Sequence, residues 1–447
     1  MSSLKKLAIQ GTLWIFIGYA LSQGVRFVGN VILTRLLSPE LFGLMTIVNI
    51  FLIGLQLFSD VGIGPSIIQN KRGEEEEFRN TAWTIQVIRG CFLWVGCLII
   101  AYPVAAVYEE PQLRWLIPFA GLTTIVGGLN SSSIFILERH VETRKLTLFR
   151  VISQIAGVAI TIIFALVSPT ILALAAGGVI GSAITMLLSH FLIPENRPRL
   201  TWNVEAKKEI FSFGRWIFIA TAMNFLSSQS DRLILGKLLN LSQLGVYTIA
   251  FTLADMPRQI MTKISNGIIF PIVAQRKDIP RRELREKVLS QRRLLLLGLA
   301  VFVAFLAGLG DILISLLYDE RYEDATWMMT VLAIGIWPFV LFNTTVPILL
   351  AIGRPGYAAI AKFTRFISIS IGIIVGFNLF GMAGSIFVLA FSDLPLYLVN
   401  QYGLWKENLT CYRQDFLTTL VFVSLLAFLF SIRMLIGYPP PLFSLFA

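Results

Sequence analysis

The chain has 447 residues, 56% of them hydrophobic and only 14% charged, with a formal net charge of +11. Mean hydropathy is +0.75, whereas a soluble globular domain carries about 25% charged residues. This composition excludes a soluble enzyme, a nucleic-acid-binding domain and a disordered chain, and leaves no room for a sizeable domain outside a bilayer.

In chain order, Met1-Ser-Ser-Leu-Lys-Lys6 leads into an apolar stretch from Gly11 to Leu37. It is too long for a signal-peptide core and no small-residue cleavage site follows, so it reads as an uncleaved first span. Further spans are expected over 41–68, 81–107, 115–137, 146–168 and 170–193. After the polar, Pro-containing segment 194–213, the pattern resumes with 214–239, 244–274, 294–318, 326–352, 357–380 and 382–404. A last apolar run, 416–436, precedes Pro439-Pro440-Pro441. The predicted fold class is an all-α polytopic membrane protein. It has a six-helix lobe over 1–193, a cytoplasmic linker over 194–213 and a second six-helix lobe over 214–405. A cytoplasmic loop, an extra transmembrane helix and a tail fill 406–447.

Charge orients these spans. Lys5, Lys6, Lys71, Arg72, Arg79, Arg139, Arg144, Lys145, Arg150, the basic residues of 197–215, those between Arg276 and Arg293, Arg354, Lys362, Arg365, Lys406 and Arg413 fall in loops on one side. The other side collects only Arg35, Arg114, Lys237, Arg321 and Arg433. Basic loops stay cytoplasmic, so the rich side and the N-terminus are assigned there. The basic excess is thereby an orientation device and not a nucleic-acid footprint.

The halves share ordered matches. Leu33-Thr-Arg-Leu-Leu-Ser-Pro-Glu-Leu-Phe-Gly43 parallels Leu235-Gly-Lys-Leu-Leu-Asn-Leu-Ser-Gln-Leu-Gly245. Tyr108-Glu-Glu parallels Tyr318-Asp-Glu, and Arg150-Val-Ile-Ser153 parallels Arg365-Phe-Ile-Ser368. With an even number of spans per half, the copies have the same orientation, as in a parallel internal repeat, and two bundles of this kind form a transporter architecture.

Polar groups inside the spans mark candidate functional positions, because a charge facing lipid at mid-bilayer costs about 2.5–3.5 kcal/mol. Tyr19, Gln23, Arg26, Asn30 and Thr34 share one helical face. Asn224 and Ser228 lie on the seventh span, with Asp231 and Arg232 near its outer end, where helix–helix pairing is expected. Asp255, Arg258, Gln259 and Thr262 share a face of the eighth span, with Lys263 beside them. Arg89 and Lys263 lie about two turns from the cytoplasmic ends, where snorkelling and a cavity role are both open. For Arg258, an internal pair with Asp255 and a substrate contact are both open. Asp60, Asp255 and Asp393 are the candidate sites for a coupling ion, Asp60 and Asp393 reading as isolated acids. The mild cationic bias suits an anionic cargo such as a phosphate or pyrophosphate headgroup. His140 and His190 stand alone at span ends with no metal spacing, and no cofactor motif or long outer loop for catalysis is present.

Several segments resemble a known family. They are Phe58-Ser-Asp-Val-Gly-Ile-Gly64 with Ile68-Gln69, Leu137-Glu-Arg-His140 with Arg144-Lys145, Asp231-Arg-Leu-Ile-Leu-Gly-Lys-Leu-Leu239 leading to Leu244-Gly-Val-Tyr-Thr-Ile-Ala250, and Pro271-Ile-Val-Ala-Gln275. They are similar to the polysaccharide exporters, O-antigen and exopolysaccharide flippases of the Wzx/WzxC type. Those belong to the superfamily that includes MATE drug antiporters and the lipid II flippase MurJ. The resemblance runs to about residue 405, and Asp231–Ala250 is its most specific part. It implies a MATE-like pair of lobes working by alternating access, which moves a polyprenyl-pyrophosphate-linked oligosaccharide across a bacterial inner membrane, with Arg26 as a headgroup contact. It also implies membrane lipid, glycosyltransferases and a polymerase of the same pathway as partners. The apolar run 416–436 departs from a twelve-span pattern. Two rival functions are a cation-coupled drug antiporter, which calls for acid-dominated cavities, and a membrane glycosyltransferase or ligase, which calls for large outer loops.

Overall fold

The computed structural model describes residues 2–59, 62–196, 198–275 and 279–440, without the side chains of residues 2–13, 15, 16, 212–220, 222 and 223. All regular elements among the described residues are helical. The first half comprises α1 (Ser2–Leu36), α2 (Pro39–Phe58), α3 (Ile63–Gln69), α4 (Glu76–Tyr108), α5 (Leu113–Gly128), α6 (Ser133–Arg139), α7 (Thr143–Val167) and α8 (Ile171–His190). Then come α9 (Val204–Leu238), α10 (Leu241–Ala254), α11 (Met256–Ile264), a π-helical turn (Ser265–Ile269), α12 (Phe270–Ala274) and α13 (Arg281–Leu317). A 3₁₀ turn (Glu320–Tyr322) precedes α14 (Ala325–Gly335), α15 (Trp337–Asn343), α16 (Val346–Ala351), α17 (Pro355–Phe391), α18 (Asp393–Lys406) and α19 (Tyr412–Leu435). Helix thus falls on each span drawn from hydropathy.

Among the described residues, eight helical stretches are long and apolar enough to cross a membrane, or nine with α5 and α6, which meet at 59°. One of them, Pro355–Lys406, has 52 residues. At about 1.5 Å per residue it would reach roughly 78 Å, far more than a ~30 Å hydrocarbon layer. It folds back at Phe380 and Gly381, where the backbone leaves the helical region and Gly381 takes a φ of 60°. A Cβ on Gly376 would lie 2.7 Å from the Gly384 carbonyl oxygen, so only glycine permits this close return.

Other spans break where proline withholds an N–H. Pro257, Pro338 and Pro347 stand in the first turns of α11, α15 and α16, so each helix starts anew instead of continuing its predecessor. In contrast, α10 opens on a full capping box, with Gln243 N–H donating to Asn240 Oδ1 at 2.8 Å.

The chain divides into two compact units, Met1–Phe225 and Leu226–Ala447. The division falls inside α9, not in the 194–213 segment expected from composition. Ala206 and Ile210, in the first turns of α9, are buried with Ile63, Ile67, Phe78, Ala82 and Ile85. That burial ties the start of α9 to the first unit. Helix α19, expected as a separate addition, runs along α13 within the second unit. Arg292 pairs with Asp415 near one end, and Arg433 binds Asp311 at 2.5 Å and the Gly308 carbonyl at 2.6 Å near the other. Arg292 and Arg433, both expected in loops, are buried inside helices because α13 extends well beyond its apolar stretch and α19 includes Arg433.

Candidate functional site

Each unit builds its own polar site. In the first, a cavity of about 570 Å³ is lined by residues of α2 to α7, with Glu138 of α6 and Arg150 of α7 among them. The bend between α5 and α6 strips carbonyls of their helical partners. Gln86 of α4 replaces them: its Nε2 donates to the carbonyls of Gly128 at 3.0 Å and Asn130 at 3.1 Å. On the same helix, Arg89 donates to Ser59 Oγ at 2.9 Å and to the Gln56 carbonyl at 2.6 Å. That contact completes the C-terminal end of α2, where a cation also meets the negative end of the helix dipole. Arg89 therefore reaches across to a neighbouring helix and does not snorkel. Arg150 pairs with Glu138, its side chain 62% exposed. Two arginines, one glutamate, Gln56, Gln86 and Asn130 give this lining a net positive formal charge and several amides.

The second unit is built differently. Asp255 sits at the break between α10 and α11, and Arg258 Nε lies 2.8 Å from its Oδ1. Gln259 Nε2 donates to the other oxygen of Asp255 at 3.2 Å. The far end of the Arg258 guanidinium pairs with Asp393, at the start of α18. Arg365 Nε approaches the same Asp393 carboxylate at 2.6 Å, and Arg365 Nη1 donates to the Ser227 carbonyl of α9. Tyr247 Oη donates to Asp231 Oδ2 at 2.6 Å. Phe339 lies 4.0 Å beneath the Arg258 guanidinium, and Arg232 stacks over Phe251 at 4.4 Å. The space left among Asp231, Asp255, Arg258 and Arg365 is about 20 Å³, room for one water and not for a cargo.

The expected positions separate accordingly. Arg258, Gln259, Asp255 and Asp393 come together but engage one another. Asp393, read from the sequence as isolated, is fully buried and held by two arginines. Arg365, counted as a loop residue, lies inside α17 and supplies one of them. Asp231 pairs with Tyr247, as helix–helix pairing requires, while Arg232 turns to Phe251 and Gln229. Lys263 is exposed on α11, and Asn224 and Ser228 are exposed on α9. Asp60 lies outside the described residues.

Helix α1 packs on α7 through Gly18 against Thr147, Ser22 against Gln154 and Gly29 against Val158. Tyr19, Gln23, Arg26 and Asn30 follow on the adjoining face, away from the exposed Ile17, Leu21, Val28 and Ile32. Arg26 is itself exposed, and no carboxylate among the described residues pairs with it. None of these α1 residues lines the first-unit cavity. That cavity's Gln86, Glu138 and Arg150 were not among the sequence candidates. Gln86 lies inside the apolar span drawn over 81–107, and the other two were read as loop charges.

Residues 32–327 match the family described as "Polysaccharide biosynthesis protein". The chain belongs to this polysaccharide biosynthesis family. It is 25% identical to the lipopolysaccharide biosynthesis protein WzxC of Escherichia coli over 62% of this chain and 56% of that protein. It thus spans little more than half of that relative. It is also 21% identical to the teichuronic acid biosynthesis protein TuaB of Bacillus subtilis over 93% of this chain and 86% of that one. A structure titled lipid II flippase MurJ superposes with a TM-score of 0.67 and 13% identity, covering 95% of this chain and 92% of that one. An inward-facing multidrug MATE transporter gives 0.65 at 12% identity, covering 90% and 95%. The fold is the MATE-like membrane-transporter fold, and the relatives are named for transport and biosynthesis, none as an enzyme.

Family membership gives the quoted motifs a physical reading. In Leu137-Glu-Arg-His140, Arg139 Nη1 donates to the carbonyls of Ile67 at 2.9 Å, Ile68 at 3.1 Å and Asn70 at 2.6 Å, closing the C-terminus of α3. Glu74 binds Arg139 at 3.0 Å and His140 at 2.8 Å. The hydrogen bond from His140, with the charges of His140 and Arg139, holds the Glu74 carboxyl below its usual range. The two ends of the Asp231–Ala250 motif meet in the Tyr247–Asp231 hydrogen bond.

Proposed function

We propose that this polytopic protein moves polyprenyl-pyrophosphate-linked oligosaccharide from the cytoplasmic to the periplasmic leaflet of a bacterial inner membrane, by alternating access, for O-antigen or exopolysaccharide biosynthesis. The observation that carries this reading is the first-unit cavity, open and net cationic, in a chain of the polysaccharide biosynthesis family. Guanidinium groups suit a pyrophosphate through paired, charge-assisted hydrogen bonds, and amides and hydroxyls suit a saccharide. Arg89 and Arg150 are the groups in that cavity for the charged part of the cargo, and the exposed Arg26 is a further headgroup contact on α1. The excess of basic residues in the loops of one side supports a cytoplasmic N-terminus, and the glycosyltransferases and polymerase of the pathway are the partners in this reading. A cation-coupled antiporter calls for a carboxylate open to an ion, and Asp255 and Asp393 are each held by arginine.

The test is deletion in the native cell, followed by leaflet-resolved analysis of lipid-linked sugars. Accumulation of the completed lipid-linked oligosaccharide on the cytoplasmic leaflet supports the reading. Normal surface polysaccharide with no accumulated intermediate overturns it.

A further inference from the structure

The second unit carries another cationic feature that the transport reading does not use. Helices α13 and α19 lie side by side, and a groove of about 520 Å³ opens between them at their basic ends. Arg285, Arg293 and Arg413 line it. Arg285 donates to the Thr410 carbonyl at 2.7 Å, which fixes its stem and leaves its positive charge uncompensated. No carboxylate among the described residues pairs with any of the three. The nearby acids are engaged elsewhere: Glu283 with Lys287, Glu286 with Arg282, Glu407 with Arg354, and Asp415 with the buried Arg292. The groove continues past the arginines along Leu297, Leu417 and Val421, of which Leu417 and Val421 are exposed. Arg293 directly precedes the apolar stretch of α13 that begins at Leu294, so the three cations stand at headgroup depth and the apolar wall at acyl-chain depth.

We infer that this groove is a binding site for an anionic phospholipid of the surrounding bilayer, with the phosphate between Arg285, Arg293 and Arg413 and an acyl chain along Leu297, Leu417 and Val421. Charge complementarity is joined here to an apolar wall: three uncompensated cations at the interface attract an anionic headgroup, and Leu297, Leu417 and Val421 retain its chain. The site holds the parallel α13–α19 pair together at the end opposite the Arg433–Asp311 contact. It does not rest on the cargo proposed above.

Native mass spectrometry of the full-length protein with added dioleoyl phosphatidylglycerol or dioleoyl phosphatidylcholine tests it. One phosphatidylglycerol should bind in strong preference to phosphatidylcholine. Each arginine near the surface contributes about a fivefold gain, so Arg293→Gln and Arg413→Gln together should weaken retention about 25-fold. The single Arg413→Gln variant, at an exposed residue, should weaken it about fivefold and serves if the double variant folds poorly. Arg282→Gln, outside the groove, should leave binding unchanged. Equal binding of both lipids, or full retention by the variants, overturns the inference. So does competition by inorganic phosphate at equal concentration, which marks a free-anion site. Displacement by an equimolar polyprenyl phosphate also overturns it and assigns the groove to the cargo lipid.

Discussion

The two units treat buried charge in opposite ways. In the first, Arg89 completes the end of α2 and the exposed Arg150 pairs with a partly buried Glu138, yet both line a cavity of about 570 Å³. In the second, Arg258 and Arg365 converge on one buried carboxylate, and only about 20 Å³ remains among them. Arg150 and Arg365 open the same Arg-x-Ile-Ser pattern, so the local sequence does not decide their roles; the acid that faces each one does. A guanidinium of the first unit borders open space. One shared between buried acids fastens helices together, and α9, α11, α17 and α18 are fastened here.

The largest effect that probes this contrast lies in the second unit. Asp393→Ala leaves Arg365 buried without its acid and Arg258 with Asp255 alone, and should destabilise the protein by about 3–5 kcal/mol. Thermal unfolding in detergent would register this as a lowered midpoint and reduced yield. Replacing Asp255, Arg258, Arg365 and Asp393 together by apolar residues of similar volume should recover most of the loss. If Asp393→Ala were as stable as the parent, the network would not be the fastening described.

In the first unit the expected loss is of activity. Arg89→Gln removes a charged donor worth about 1.5–3 kcal/mol and should slow translocation about tenfold or more at normal protein abundance, measured by surface polysaccharide per molecule. A fall in abundance matching the fall in export would make Arg89 a structural residue like Arg258. Arg26→Ala should have a smaller effect, a few-fold loss of export with unchanged abundance, because Arg26 lies outside the cavity.

The smallest effect concerns Glu74. Its carboxyl is held below the ordinary value of 4.5 in the folded state. The stability it contributes is therefore present above the ordinary value and lost as pH falls through the lower, folded one. Glu74→Gln should lower stability slightly at neutral pH and leave it unchanged in acid, so that the acid limb of the profile flattens, as titrated thermal melts would show.

The span positions were legible in the sequence because hydropathy over about 20 residues reports burial in lipid directly. Several breaks were also marked, by Pro257, Pro338 and Pro347, although each span was drawn there as one continuous helix. The motif carrying Asp231 and Tyr247 was visible, but its hydrogen bond was not. Arg258 and Asp393 lie 135 residues apart, and no periodicity links positions so distant. Arg365 and Arg292 were assigned to loops because charge alone ends an apolar run, whereas the helices continue and bury those charges against acids on neighbouring helices. The first-unit cavity was missed for the same reason, since Arg150 and Glu138 read as loop charges.

The central claim is that an anionic, lipid-linked saccharide is what the cationic cavity serves, and reconstitution tests it most directly. Purified protein in liposomes should transfer a polyprenyl-pyrophosphate oligosaccharide between leaflets without ATP, with Arg89→Gln combined with Arg150→Gln slowing transfer about tenfold or more. Absence of transfer by the parent protein, or transfer unaffected by removing both charges, would contradict the account.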